Sequence, residues 1–122
     1  MALVYGRALF GVAIRGMGSA IARAFIDRIN EDYGNEKIID MKRGDRPPFD
    51  IERYLICQGV LIGKPRIQQT EQEIIDTYRV NYIDIANMCD DILENNSNAR
   101  ICVLGSESGI SGSYDEIYAD SK

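Results

Sequence analysis

Histidine is absent from the 122 residues, and cysteine is scarce: Cys57, Cys89 and Cys102 are all there are. Without an imidazole, the Ser/His and Cys/His nucleophile systems have nothing to take the proton. With no C-x-x-C spacing either, a zinc site has no ligand set, and no metal is expected. Two cysteines sit in apolar strand-like runs and Cys89 falls on the apolar face of a helical pattern, so buried free thiols are expected. Free thiols without a targeting signal point to the cytoplasm. Positive charge is also short. Fourteen Lys and Arg against nineteen Asp and Glu leave a net charge of −5, with no basic stripe, so no nucleic-acid partner is expected. No apolar run approaches the ~20 residues that span a bilayer, so no membrane partner is expected, and the apolar N-terminus lacks a signal-peptide cleavage site. What remains is the composition of a globular protein, 45% hydrophobic and 27% charged, read as one domain over residues 1–122 with a modest core.

Apolar runs alternate with helical patterns, the signature of an α/β protein with a parallel sheet. A first strand lies within Ala2–Ala13, interrupted by Gly6, Arg7 and Gly11. Ala20, Ile21, Ala24, Phe25 and Ile29 recur at three- and four-residue spacing and predict a helix that stops at Gly34. Lys37 to Met41 reads as a short buried strand, and Lys42 to Asp50, with Pro47 and Pro48, as a loop. Tyr54 to Cys57 is the next strand, followed by a loop from Leu61 to Gln69. Thr70 with Glu73 forms a capping-box pattern. It opens a long helix whose face is read as Ile74, Tyr78, Tyr82, Ile85, Cys89 and Ile92 or Leu93, ending at Asn95 to Asn98. Arg100–Leu104 is the last strand, and a final helix starts near Asp115.

The residues that carry chemistry fall at the ends of these strands. The glycine turn Gly11-Val12-Ala13-Ile14-Arg15-Gly16-Met17-Gly18 lets backbone approach a pyrophosphate, with a helix N-terminus behind it. Asp40, a little over twenty residues on, stands where an acid holds the adenosine ribose hydroxyls. Arg15, Lys42 and Arg43 could instead receive a 2′-phosphate, so NAD and NADP both stay open. Gln58 and Gly59 follow a buried strand and could line a cofactor. Asn81 sits mid-helix, where asparagine is a poor choice without a reason. Ser106 and Ser108 lie in a glycine-flanked loop. Tyr118 and Lys122, four apart on a helix, share a face. A lysine cation beside a phenol favours the phenolate, which suits a tyrosine for general acid–base work near neutral pH.

In combination these segments resemble the short-chain dehydrogenase/reductase family. Ala13-Ile14-Arg15-Gly16-Met17-Gly18-Ser19-Ala20-Ile21-Ala22 resembles its cofactor turn, and Leu55-Ile56-Cys57-Gln58-Gly59-Val60 its Asn-Ala-Gly segment. Val80-Asn81 resembles the active-site asparagine segment. Leu104-Gly105-Ser106-Glu107-Ser108-Gly109 and Tyr118-Ala119-Asp120-Ser121-Lys122 resemble the serine and Tyr-x-x-x-Lys segments. Val12 or Ala13 stands near the family's first glycine, and one short loop replaces the two helices and extra strand that the family has between Asp40 and Tyr54. The sequence looks like a compacted first half of such an enzyme.

The resemblance implies a Rossmann-like, three-layer α/β domain with about four parallel strands, incomplete relative to the family. It implies NAD or NADP as cofactor and a small-molecule carbonyl or alcohol as substrate. Tyr118 would protonate the carbonyl oxygen, Lys122 would lower the tyrosine pKa and hold the nicotinamide ribose, and Ser106 (or Ser108) would bond the substrate oxygen. Asn81 would hold a water. Gly11, Arg15, Gly16, Met17, Gly18, Asp40, Gln58 and Gly59 would contact the cofactor. Two rivals share the motifs: a non-catalytic nucleotide-binding or interaction module, and a nucleotide-sugar epimerase or dehydratase. An unpaired edge along Arg100–Leu104 predicts a self-associated or partner-bound state rather than a monomer, with a homo-oligomer expected first. The short helix that carries Tyr118 and Lys122 predicts weak catalysis by the chain alone.

Overall fold

The computed structural model describes residues 11–33 and 37–122. Among these residues the chain forms two compact units. The first takes in the described residues up to Cys57 and Asp91–Val103, the second Gln58–Asp90 and Leu104–Lys122.

The first unit is built on a four-stranded parallel sheet. Strand β1 is Gly11–Arg15, β2 is Lys37–Asp40, β3 is Arg53–Ile56 and β4 is Arg100–Val103, in the order β2-β1-β3-β4. β1 lies between two neighbours, so all five of its residues are buried and its sequence is an unbroken small and apolar run up to Arg15. The register sets Ala13 against Ile39 on one side and Tyr54 on the other. Leu55 then pairs with Cys102. Ala13, Ile14 and Ile56 are 0% exposed and form the centre of this core. The deeply buried Tyr54 donates its phenol hydrogen to the Pro48 carbonyl at 2.6 Å and accepts from Asn96 Nδ2 at 3.0 Å. The same Asn96 amide donates to the Ile51 carbonyl, which ties down the loop before β3.

Helix α1 is Ala20–Tyr33. Ser19 caps it, accepting from the Ala22 N–H at 3.0 Å. Its buried stripe differs from the expected one: Ala22 and Ile29 are buried, while Ile21 and Phe25 are 51% and 36% exposed. The expected stop at Gly34 and the strand residues before Gly11, with Gly6 and Arg7, lie outside the described residues.

The second unit is helical. Helix α2, Glu71–Tyr78, opens with the expected capping box: Thr70 Oγ1 accepts from the Glu73 N–H, and Glu73 accepts from the Thr70 N–H. A π turn over Arg79–Ile83, closed by the Asp84 N–H on the Arg79 carbonyl, leads into α3, Asp84–Asn95, whose residues from Asp91 on count with the first unit. The π turn corrects the expected helix face. An i→i+5 turn takes up one more residue than an α turn and so rotates α3 relative to α2. The buried stripe is therefore Thr77, Asn81, Ile85, Met88 and Ile92, while Tyr82 and Leu93 are 63% and 57% exposed. A short helix missed by pattern, α4 at Ser108–Ser111, interrupts the serine loop, and α5 spans Glu116–Ser121 behind the cap Asp115. The cysteine expectation holds only for Cys57. Cys89 is half-buried, and Cys102 is exposed because β4 is the last strand in the described order.

Candidate active site

The glycine turn is shorter than its sequence pattern. Gly11 is the first residue of β1, packed so that a Cβ there would meet Ile51 Cδ1 and the Lys37 carbonyl at 3.4 Å. Arg15 is the strand's last residue, its main-chain carbonyl accepting the Cys57 N–H at 2.8 Å. Both belong to the sheet, and the turn proper is Gly16-Met17-Gly18. Gly16 has φ of 85°, in the left-handed region that glycine enters without strain. Its carbonyl accepts the Ser19 N–H at 3.1 Å. A Cβ on Gly18 would meet nothing within 4 Å. The turn thus leaves open space beside its backbone at the start of a capped helix, and these residues fit a dinucleotide pyrophosphate. Asp40 ends β2 and, with Ile39, Met41, Asp45, Arg46 and Pro48, lines a cleft of about 380 Å³. Arg46 in that lining is held by Asp91 at 3.2 Å and lies over the Phe49 ring. Lys42 and Arg43 are exposed.

The second unit contains Asn81, Ser106, Tyr118 and Lys122, and it brings Lys122 and Asn81 together at Gly59. Lys122 Nζ donates to the Leu104 carbonyl at 3.1 Å and to the Gln58 carbonyl at 3.5 Å. Gly59 leaves the room for it: a Cβ there would stand 3.3 Å from Lys122 Nζ and 3.6 Å from Asn81 Oδ1. Gln58 turns its side chain onto the π turn, donating to the Val80 carbonyl at 2.7 Å.

Asn81 is 5% exposed, and its amide is fully engaged. Oδ1 accepts from the Val60 N–H at 2.8 Å, and Nδ2 donates to the Val60 carbonyl at 2.9 Å and to Ser121 Oγ at 3.0 Å. The reason for an asparagine inside a helix is therefore a clamp. It joins the loop after Gly59 to the residue beside Lys122.

Tyr118 is half-buried, and its main-chain N–H is held by Asp115 Oδ1 at 3.0 Å. No hydrogen bond joins its hydroxyl to Lys122 or to another group among the described residues. Ser106 Oγ accepts from the Ser108 N–H at 3.2 Å, so these two serines shape one turn.

Residues that the motifs did not point to complete this unit. Asp115 is 1% exposed and accepts from Gly63 N–H, Tyr118 N–H and Gln69 Nε2 at 2.9 to 3.0 Å. Burial is the largest single influence on its carboxyl and pushes the pKa up, but the donors of Tyr118, Gly63 and Gln69 together outweigh it and hold the pKa below its ordinary value. Tyr78 donates to Asp120 Oδ2 at 2.5 Å, and that bond, with burial, raises the Tyr78 pKa. The N-cap position of Asp115, three residues before Tyr118, was the available signal for its role.

No family model matches the sequence, and no curated protein matches it. The fold does match solved structures. A short-chain dehydrogenase/reductase, glucose/ribitol dehydrogenase, from Brucella melitensis superposes with a TM-score of 0.75 at 15% identity, over 92% of this chain and 63% of that one. Serine dehydrogenase from Escherichia coli gives 0.68 at 13% identity, over 91% and 69%. The protein gox2181 gives 0.65 at 12%, over 93% and 61%. The chain thus spans roughly three fifths to two thirds of the length of these neighbours. Parallel strands with flanking helices and likeness to these structures agree: the chain has a Rossmann-like α/β fold of the short-chain dehydrogenase/reductase type.

Proposed function

We propose that the protein is an NAD(P)-dependent oxidoreductase of short-chain dehydrogenase/reductase type that interconverts a small-molecule carbonyl and its alcohol. The observation that carries this reading is the setting of Lys122. Its ammonium is fixed by the carbonyls of Leu104 and Gln58 over Gly59, and the adjacent Ser121 is clamped by the buried Asn81. A merely solvated lysine needs none of this.

NAD(P)H, when bound, supplies the hydride that reduces the carbonyl carbon. Gly16, Met17 and Gly18 hold the pyrophosphate through their backbone, and Asp40 receives the adenosine ribose. In reduction, Tyr118 Oη gives its proton to the carbonyl oxygen, leaving a phenolate that regains a proton from solvent. The Tyr118 hydroxyl has no protein partner among the described residues, so it is available to an external oxygen. Ser106 Oγ donates to the same oxygen, which Ser106 can do while still accepting from Ser108. The Lys122 cation stabilises the phenolate as it forms. The same reading takes the protein as a homo-oligomer associating along the exposed side of β4.

Titration calorimetry with NAD(H) and NADP(H) tests cofactor binding, and nicotinamide absorbance tests turnover with simple ketones. Tyr118→Phe is expected to lower turnover by ~100-fold or more with the dinucleotide Kd unchanged. No heat at millimolar cofactor, or turnover indifferent to Tyr118→Phe, overturns the reading.

A further inference from the structure

Three consecutive residues at the start of α5, the helix that carries Tyr118, all hold one loop. The Tyr114 hydroxyl donates to the Gly63 carbonyl at 3.2 Å. Asp115 Oδ2 accepts the Gly63 N–H at 2.9 Å, and its Oδ1 accepts from Gln69 Nε2 at 2.9 Å. Glu116 Oε1 accepts the Arg66 N–H at 2.8 Å. Gln69 is itself buried and donates a second time, to the Lys64 carbonyl at 2.7 Å, so both ends of the loop meet at Asp115. Gly63 has φ of 80°, which favours glycine where its N–H turns toward the carboxylate.

Of the three, Asp115 alone is buried, and it alone also holds the start of α5 through the Tyr118 N–H. Three donors converge on one carboxylate, each a charge-assisted bond. We infer that Asp115 is a positioning residue for Tyr118: its carboxylate locks the loop 63–69 to the first turn of α5, and so fixes where the tyrosine hydroxyl is presented. The inference rests on the proposed oxidoreductase function for its effect on catalysis, but the lock itself does not depend on that function. Burial without these donors would leave a carboxylate strongly disfavoured. The donors keep it ionised, so the lock is complete at neutral pH and opens only as pH falls through the lowered pKa of Asp115. The charged and titratable groups around it are Glu116 and Tyr118 on α5, Tyr114 before it, Arg66 and Lys64 on the loop, and Glu73 on α2, which pairs with Lys64.

The test is NMR of the whole chain, with activity as a second readout. In the wild type, the Gly63 and Tyr118 amide shifts are expected to move together at one acid midpoint, below the ordinary aspartate range. In Asp115→Asn, where one acceptor becomes a donor, both amides should exchange at least ~10-fold faster, while Glu116→Gln should change only Arg66. Turnover in Asp115→Asn should fall ~10- to 100-fold with the dinucleotide Kd unchanged, and Asp115→Glu should restore part of it. Independent titration of the two amides in the wild type overturns the lock, even if the variant does not fold. Joint titration with full turnover in Asp115→Asn overturns the positioning role. If Tyr118→Phe is without effect on turnover while the amides still titrate together, the oxidoreductase reading fails and the lock stands.

Discussion

Each of the two units owes its internal cohesion to different means. In the first, the cohesion comes from the sheet's main-chain ladders and a fully buried apolar centre of Ala13, Ile14 and Ile56. Its side-chain hydrogen bonds, such as Tyr54 to Pro48, tidy the loops at its margin. In the second, short helices are tied by a few polar side chains bonded to main chain: Asn81 to Val60, Asp115 to Gly63 and Tyr118, Lys122 to Leu104 and Gln58. Apolar burial tolerates small shifts, because it has no direction. A hydrogen bond fixes a distance and an angle, so a unit built on such bonds places its groups closely. That suits proton transfer, where small misplacements are costly.

The sharpest way to break this contrast is to damage the apolar centre. Ile56 is 0% exposed in β3, between β1 and β4. Ile56→Ala is expected to cost ~3–4 kcal/mol through lost burial and the cavity left behind. Urea unfolding measures it, and a loss below ~1 kcal/mol would mean that packing in the sheet is not what sustains this unit.

Next in size is the clamp in the helical unit. Asn81→Ala removes three bonds and leaves the Val60 N–H without its partner. The expected cost is ~2–3 kcal/mol, the range for unsatisfied buried groups. Asn81→Asp separates the parts, because it keeps the acceptor for Val60 N–H and loses both donated bonds. Amide exchange at Val60 should accelerate in the alanine variant and much less in the aspartate one. Equal acceleration in both would show that the donated bonds carry the clamp.

The same contrast explains what was legible in the sequence. Strand positions come from apolar runs, and Lys37 to Met41, Tyr54 to Cys57 and Arg100–Leu104 were each readable to within a residue or two, although β2, expected to be buried, has exposed ends and only half-buried isoleucines. The capping box at Thr70 and Glu73 was readable because it is a local pattern. The first half of the helix face was not, since Tyr78 and Tyr82 fit an unbroken 3.6-residue period and the π turn at Arg79–Ile83 shifts the buried stripe to Thr77 and Asn81, while Ile85 and Ile92 are buried as expected. Asn81 was visible as an anomaly, but its partner Val60 is 21 residues away and is engaged through main-chain atoms, which carry no sequence signal. The tie of Asp115 to Gly63, 52 residues away, is hidden for the same reason, and its tie to Gln69 because the two side chains lie 46 residues apart in the chain. Gly11 misled because a glycine inside a strand reads like one inside a turn.

The smallest expected effect on stability is at Gly18, and it separates a glycine kept for the fold from one kept for a ligand. Gly59 belongs to the fold, since a Cβ there would press on Lys122 and Asn81. Gly18 has open space around the position of a Cβ, and it is not among the glycines with positive φ. Gly18→Ala should therefore change stability by less than ~0.5 kcal/mol, as substitutions away from packed or strained positions do. Its cost should appear in binding alone. An added methyl holds a pyrophosphate off the backbone, and Gly18→Val should hold it further. Calorimetry with NAD(H) and NADP(H) should show Kd weakened by ~10-fold or more for alanine and binding abolished for valine, with unfolding midpoints unmoved for alanine. Undiminished binding in Gly18→Val would remove the glycine turn from the proposed cofactor site, and a destabilised Gly18→Ala would mean that this glycine, too, serves the fold.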